Sequence, residues 1–311
     1  MSEQVTHKTV LLDEAVAALV TDADGFYIDG TFGRGGHSAA ILAKLSANGR
    51  LLAVDKDPEA ERAAKLRFGA DSRFEFVRGS FKDIASYAAV RGQSGRVAGV
   101  LLDLGVSSPQ LDQGERGFSF MQDGPLDMRM DPESGMSAAD WLAVADEKDI
   151  ATVLWEYGEE KFSRRMAKAI VRARQQQPIV RTGQLAAIIA EANPSWERGK
   201  NPATRAFQAI RIYINRELDD LHDLLADIVD VLKIGGRLVV ISFHSLEDRI
   251  VKRFIRLQEK GPPIPRGLPV AEADIVRPMR AVGKALKPGD EECELNVRAR
   301  SAVMRVAEKT A

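Results

Sequence analysis

Cysteine and long apolar runs are nearly absent from this chain of 311 residues. Its single cysteine, Cys293, cannot form a disulfide within the chain, which fits a reducing compartment. The four histidines show no metal-ligand spacing, so we expect no metal site. No stretch approaches the roughly 20 apolar residues that span a bilayer, and the first residues lack the layout of a signal peptide. We therefore expect a cytoplasmic protein with no membrane partner.

Two catalytic signatures are also missing. Neither a Walker lysine motif nor a nucleophile elbow occurs, so phosphoryl transfer and hydrolysis lose support. What is present is 45% hydrophobic and 29% charged residues, the balance of a globular protein with a sizeable core.

The net charge of −1 hides an uneven distribution of charge. Residues 161–216 hold twelve Lys and Arg against two acids, a net of +10 that leaves −11 for the rest of the chain. An excess of this size indicates a polyanionic partner. A solvated helix face is the alternative, because charge runs are common on surfaces.

Short apolar runs alternate with helical stretches from Gly25 to Asp103, the pattern of a parallel sheet with crossover helices. The predicted strands are 26–29, 51–55, 74–77 and 97–103, and the predicted helices between them are 38–45, 58–68 and 82–90.

The alternation then stops, because residues 107–215 carry helical patterns with no convincing strand, which indicates an inserted subdomain. The sheet resumes with a helix at 217–232, a strand at 237–243, a helix at 246–257 and a closing strand at 301–307. The predicted fold is α/β: a Rossmann-like sheet formed by residues 1–106 and 216–311, interrupted by an all-helical subdomain at 107–215.

A glycine-rich segment, DGTFGRGGHS at 29–38, lies between the first predicted strand and helix. Glycines there let the backbone turn tightly and bring a ligand close to main-chain N–H groups at a helix N-terminus. Such turns serve NAD, FAD and S-adenosylmethionine, and some are purely structural.

Further candidates follow the next three strands. Asp55 ends the second strand, where Rossmann sites place an acid for ribose hydroxyls; an exposed acid at a strand end is the alternative. Phe81 could lie against adenine or belong to the core. Asp103 opens the polar loop LDLGVSSPQ after the fourth strand, at the edge of the sheet where such folds carry out chemistry. These elements leave the choice between NAD and S-adenosylmethionine open.

Long strings then make the sequence recognisable: HKTVLL at 7–12, DGTFGRGGHS at 29–38, LLDLGVSSPQLD at 101–112, RGFSFMQDGPLDMRMD at 116–131, NPATRAFQAIRI at 201–212 and ISFHSLEDR at 241–249. With them the chain closely resembles the MraW (RsmH) family, bacterial methyltransferases that modify the N4 amino group of a cytidine in small-subunit ribosomal RNA.

The resemblance implies a class I methyltransferase sheet and S-adenosylmethionine as cofactor, contacted by Gly35, Gly36, His37, Asp55, Phe81, Asp103 and Gln110. It implies 16S ribosomal RNA as substrate, at the decoding region and within an assembled small subunit. A homodimer is left open.

For the chemistry we hypothesise that Asp103 and the hydroxyls of Ser107 and Ser108 accept hydrogen bonds from the N4 amino group, although Asp103 could serve the cofactor instead. The loop after Asp103 departs from the Asn/Asp-Pro-Pro-aromatic pattern of many amino methyltransferases. His244 could orient the base or simply cap the next helix.

The insertion supplies candidate RNA contacts. Arg129 and Arg205 could hold phosphates, while Phe118, Phe120 and Met128 could stack on an unpaired base or belong to the core. Competing functions are methylation of a small molecule or protein, a non-catalytic ribosome-assembly factor, and, more distantly, an NAD dehydrogenase.

Overall fold

A computed structural model describes residues 9–195, 201–261 and 276–311. It divides into two compact units, which we call the sheet unit (Met1–Gly105 with Leu218–Ala311) and the helical unit (Val106–Glu217). Some residues used above lie outside the described part, namely His7 and Lys8 of the first string and Glu197, Arg198 and Lys200 of the basic segment.

The sheet unit holds seven strands in the order β3-β2-β1-β4-β5-β7-β6. Strands β1 to β5 pair in parallel, and β7 is antiparallel to both β5 and β6. The bounds are β1 Phe26–Asp29, β2 Arg50–Asp55, β3 Phe74–Arg78, β4 Val97–Asp103, β5 Leu232–Ser242, β6 Met279–Ala281 and β7 Val303–Lys309.

Seven helices belong to this sheet: α1 Leu12–Leu19, α2 Gly36–Lys44, α3 Pro58–Phe68, α4 Ile84–Ala89, α11 Glu217–Val231, α12 Ser245–Lys260 and α13 Asp290–Leu295. Alternate strand residues enter two different cores, because neighbouring side chains in a strand point to opposite faces. Leu52 and Leu102 join one core, whereas Leu51 and Leu101 join the other. Burial on both faces explains why these strands read as continuous apolar runs.

The helical unit contains α5 Ser108–Asp112, α6 Ala138–Val144, α7 Glu147–Glu156, α8 Ser163–Gln176, α9 Thr182–Ala192 and α10 Thr204–Asn215. They share one apolar core, which includes Trp141, Leu154, Ile170 and Ile210. Within the described residues of this unit, the β pairing is an isolated bridge between Pro125 and Arg181. The predicted fold class, a Rossmann-like sheet with an inserted helical subdomain, is confirmed.

Several predicted elements have different bounds in the structure. Strand β5 begins at Leu232, not 237, because Leu232 already pairs with Val97 before the register shifts around the glycine pair. The predicted helix 82–90 is a 3₁₀ turn, Phe81–Asp83, followed by α4. Sequence reasoning missed α1, α13 and β6.

No helix among the described residues is long and apolar enough to cross a membrane.

Candidate functional site

Three aspartates lie at the carboxyl ends of adjacent strands. Asp29 ends β1, Asp55 ends β2 and Asp103 ends β4, and β1 is the neighbour of both β2 and β4. The strand order reverses between β1 and β4, which is the switch point where open α/β sheets bind ligands. The predicted candidates Asp55 and Asp103 thus share one edge of the sheet.

One loop, the glycine loop (residues 30–36), is tied to all three strand ends. The main-chain N–H of Gly33 donates to Asp55 Oδ2 (2.7 Å), and that of Thr31 donates to Asp29 Oδ1 (3.2 Å). The main-chain N–H of Asp103 donates to Thr31 Oγ1 (2.6 Å). Sequence reasoning missed Thr31, because a threonine in a glycine-rich turn carries no local signal for such a bond.

Gly35 cannot be replaced without strain. Its φ of +74° lies in the left-handed region, and its N–H donates to the carbonyl oxygen of Phe32 (2.7 Å) just before α2 begins. A Cβ atom at this position would lie 2.6 Å from the Phe32 ring. The neighbouring Gly36 is also close-packed, since its Cβ would lie 1.9 Å from Thr9 Oγ1.

Burial raises the pKa of two of the aspartates. Asp29 is fully buried, and desolvation raises its pKa to about 6 although Ser38 Oγ donates to its Oδ2 (2.6 Å). Desolvation also raises the pKa of Asp55 to about 6, against hydrogen bonds from the main-chain N–H groups of Asp57 and Gly33. Both oxygens of Asp55 therefore already accept a main-chain hydrogen bond, and the main chain of Lys56 supplies a further one. A carboxylate has about four acceptor sites, so capacity for a ligand is left.

Asp103 is the most perturbed of the three. Burial raises its pKa well above the usual range, and the charges of Asp29 and Glu247 add to that rise. In the described part of the chain, its Oδ1 is buried and has no hydrogen-bond partner.

His37 faces the same carboxyl group, with its Nδ1 3.6 Å from Asp103 Oδ2. That distance is too long for a hydrogen bond. Burial lowers the pKa of His37 to about 4, against a hydrogen bond with the main chain of Val10, so the imidazole is neutral and forms no ion pair with Asp103. Its Nε2 is also buried without a partner among residues 9–195, 201–261 and 276–311.

Two orphaned polar atoms at one edge of the sheet point to a ligand. A buried polar atom without a partner costs about 1–3 kcal/mol. A ligand that donates to Asp103 Oδ1 and bonds His37 Nε2 would remove that cost. A group carrying positive charge would also stabilise the ionised form of Asp103, because opposite charge favours a carboxylate.

Phe81 begins the 3₁₀ turn after β3, where it is half-buried and packs against the sheet core. The turn is fixed by Ser80, whose Oγ donates to Asp220 Oδ2 (2.6 Å), and Lys56 Nζ lies 2.5 Å from the same oxygen. Asp220 is 140 positions from Ser80 in the chain, so no sequence pattern could have revealed the pair. Contact of Phe81 with a ligand stays a prediction.

His244 is the N-cap of α12. Its Nδ1 accepts from the Glu247 N–H (3.5 Å), and its Nε2 lies 3.1 Å from Glu247 Oε1. Glu247 is buried, and its Oε2 accepts from the N–H of Phe243 (2.8 Å). Nδ1 of His244 is therefore engaged with the helix that it caps, whereas Nε2 is buried without a hydrogen-bond partner among the described residues. Contact of His244 with RNA stays a prediction.

Within the helical unit, Ser107 is the N-cap of α5, and Gln110 Oε1 accepts from the Ser107 N–H (2.9 Å). Gln110 is buried. These bonds give both residues a local role at the start of the helix. The predicted roles of Gln110, Ser107 and Ser108 toward cofactor and substrate stay predictions.

Arg129 is held in the helical unit by a bidentate ion pair with Asp127 (2.7 and 2.8 Å). Arg205 is half-buried on α10. Phosphate contact by either arginine stays a prediction. Phe118 and Met128 lie in the core, and Phe120 packs edge to face on the Phe207 ring, so these three side chains follow the core interpretation.

Comparisons with known proteins agree with the resemblance. A model of the MraW methylase family matches residues 4–310. The chain is 61% identical to ribosomal RNA small subunit methyltransferase H of Thioalkalivibrio sulfidiphilus, covering 98% of each chain. It is 58% identical to the protein of that name from a Marinomonas species, covering 97% of each. A solved rRNA methylase from Streptococcus thermophilus is 12% identical, with a TM-score of 0.43 over 100% of this chain and 99% of the other.

We predict that His37→Gln flattens the pH dependence of stability. The unfolded imidazole takes up a proton near pH 6.5, whereas the folded one does so near its pKa of about 4. Stability contributed by neutral His37 is thus fully present above pH 6.5 and is lost as the pH falls toward 4. Chemical unfolding followed from pH 7 to pH 4 checks this.

The control is His222→Gln, which changes an exposed histidine on α11. The control is expected to lose stability on acidification as the unmodified chain does. If His37→Gln follows the same curve as the control, the histidine is not held neutral by the fold.

Proposed function

The chain belongs to the MraW methylase family, and on that premise we propose that it methylates the exocyclic N4 amino group of a cytidine in the decoding region of 16S ribosomal RNA. The predicted family and the predicted class of enzyme, an S-adenosylmethionine-dependent methyltransferase, are confirmed. The names of the two relatives support ribosomal RNA of the small subunit as the substrate.

The edge of the sheet fits S-adenosylmethionine. The glycine loop is packed tightly at Gly35 and Gly36, where an added Cβ would meet Phe32 and Thr9, so its conformation is fixed by the protein itself. We propose that Asp55, at the end of β2, accepts hydrogen bonds from the ribose hydroxyls. The single observation that carries the proposal is the pair of orphaned atoms, Asp103 Oδ1 and His37 Nε2, beside that loop.

S-Adenosylmethionine, when bound, supplies an electrophilic methyl group on a sulfonium. The N4 nitrogen of cytosine is a poor nucleophile because its lone pair is delocalised into the ring, so positioning and hydrogen-bond acceptors provide most of the rate enhancement. As the nitrogen–carbon bond forms and the sulfur–carbon bond breaks, the nitrogen must release one proton.

Asp103 is our proposed acceptor for the N4 amino group. Its Oδ1 has no partner among the described residues and is therefore available to accept from the amino group. Burial raises the pKa of this carboxyl, which favours uptake of a proton. His37 is neutral, so it does not offset the negative charge of the ionised Asp103 carboxylate. Ser107 and Ser108, four and five positions later in the chain, remain proposed as further acceptors.

The target base must be unpaired, distorted or flipped out, because a paired cytosine hides its N4 group. We propose that the helical unit recognises the RNA around that base, since the basic segment 161–216 lies wholly within it. An assembled small subunit is the proposed form of the substrate.

Labelled methyl transfer to purified small ribosomal subunits tests the function. We expect label in 16S RNA, recovered as N4-methylcytidine after nuclease digestion, from subunits that lack the modification. Label in a protein or small molecule would support the competing function of methylating that kind of substrate, and tight RNA binding without transfer would support an assembly factor. Either result contradicts the proposal.

We predict that Gly35→Ala weakens cofactor binding by roughly tenfold or more, equal to about 1.4 kcal/mol. The added Cβ would clash with Phe32 and distort the glycine loop. Calorimetric titration with S-adenosylhomocysteine measures the effect. Gly92→Ala is the control, since Gly92 has a similar φ of +66° but nothing within 4 Å of the added Cβ. Equal affinities for the two variants would show that the loop does not contact the cofactor.

We predict that Asp103→Asn lowers turnover by about 10²–10⁴-fold, the range of a lost general base, with little change in RNA affinity. The amide keeps the shape of the carboxylate but cannot take up the proton. Single-turnover transfer at saturating cofactor and RNA measures the loss. Full turnover by the variant would exclude an essential charge at this position.

A further inference from the structure

Helix α8 has two chemically distinct faces. Its inner face packs Met166, Ala167 and Ile170 into the core of the helical unit. Its outer face, which we call the α8 stripe, exposes four cationic side chains at Arg164, Arg165, Lys168 and Arg172. With about 1.5 Å of rise per residue, these charges extend over about 12 Å along one side of the helix.

The α8 stripe has no compensating acid. The 14 residues of the helix include five Lys or Arg and no Asp or Glu. Over the described ranges 9–195, 201–261 and 276–311, none of the four side chains forms an ion pair or a side-chain hydrogen bond. An uncompensated row of like charges repels itself, so a bound polyanion would stabilise it.

Other arginines of the helical unit are already engaged. Arg129 is paired with Asp127, Arg181 with Asp123 and Arg211 with Glu217, and Arg174 donates to the carbonyl oxygen of Leu142 (2.5 Å). These cations support the fold of the unit. The four side chains of the α8 stripe, by contrast, have no such partner among the described residues.

We propose that the α8 stripe binds the phosphate backbone of the RNA substrate. This inference rests on the proposed function and adds the surface that holds the RNA. Guanidinium groups and a lysine ammonium suit phosphate oxygens, and contacts of this kind position the nucleic acid without reading its sequence. The α8 stripe therefore contributes affinity for RNA, whereas the residues at the carboxyl ends of the strands select the cytidine.

The test is a fourfold variant, Arg164→Gln, Arg165→Gln, Lys168→Gln and Arg172→Gln, in the full chain. Glutamine keeps a good helix propensity while it removes the charge. Each phosphate contact contributes about 0.7–0.9 to the slope of log K against log salt concentration, so losing four contacts lowers the slope by about 3. We expect this smaller slope when binding of 16S RNA is measured between about 50 and 200 mM salt. Affinities of complexes with many phosphate contacts change steeply in that range.

The chain offers a matched control on α12. Lys252, Arg253, Arg256 and Lys260 are exposed and have the same spacing as the α8 stripe, but α12 lies in the sheet unit and also carries Glu247, Asp248 and Glu259. Changing these four residues to Gln removes the same total charge. We expect this control to bind RNA with nearly the salt slope of the unmodified chain.

Equal loss of slope in the two variants would show a general charge effect and overturn the proposal, as would an unchanged slope in the α8 variant. The unmodified chain could instead bind phosphatidylserine vesicles as tightly as RNA, and the α8 variant could lose that binding. This result would assign the stripe to a lipid surface and would also overturn the proposal.

Affinity for S-adenosylhomocysteine should stay unchanged in both variants, which shows that they are folded. Failure of the unmodified chain to methylate RNA contradicts the proposed function, whereas methylation with an unaffected α8 variant contradicts only this inference.

Discussion

The site depends on the desolvation of carboxyl groups at the ends of neighbouring parallel strands. Asp29, Asp55 and Asp103 end strands β1, β2 and β4, and the short glycine loop ties the three strand ends together by hydrogen bonds. Burial raises the pKa of each aspartate. The fold therefore concentrates costly polar groups at one edge of the sheet, and our proposal is that the bound cofactor offsets that cost.

The three carboxyl groups are satisfied to different degrees, and the difference separates structural from functional roles. Asp29 is fully buried and bonded to Ser38 and Thr31, so it supports the glycine loop. Asp55 accepts from main-chain N–H groups and keeps acceptor capacity for a ligand. Asp103 has an oxygen with no partner in the described chain, which leaves it the most available for chemistry.

Much of this architecture could be predicted from the sequence, for physical reasons. Strands buried on both faces read as apolar runs, so β1 and β4 were predicted at their observed bounds. The glycine loop and Asp55 have local signatures. Thr31 and Asp220 have none, because their partners come from distant parts of the chain. The neutral state of His37 likewise follows from burial, which no motif records.

The most direct test of the central claim is a crystal structure of the chain with S-adenosylhomocysteine. We predict the adenosine ribose against the Asp55 carboxyl group, with the ligand close to Gly35 and with a new hydrogen bond to His37 Nε2. A ligand bound elsewhere, with His37 Nε2 still unpaired, would contradict the claim that this edge of the sheet is the cofactor site.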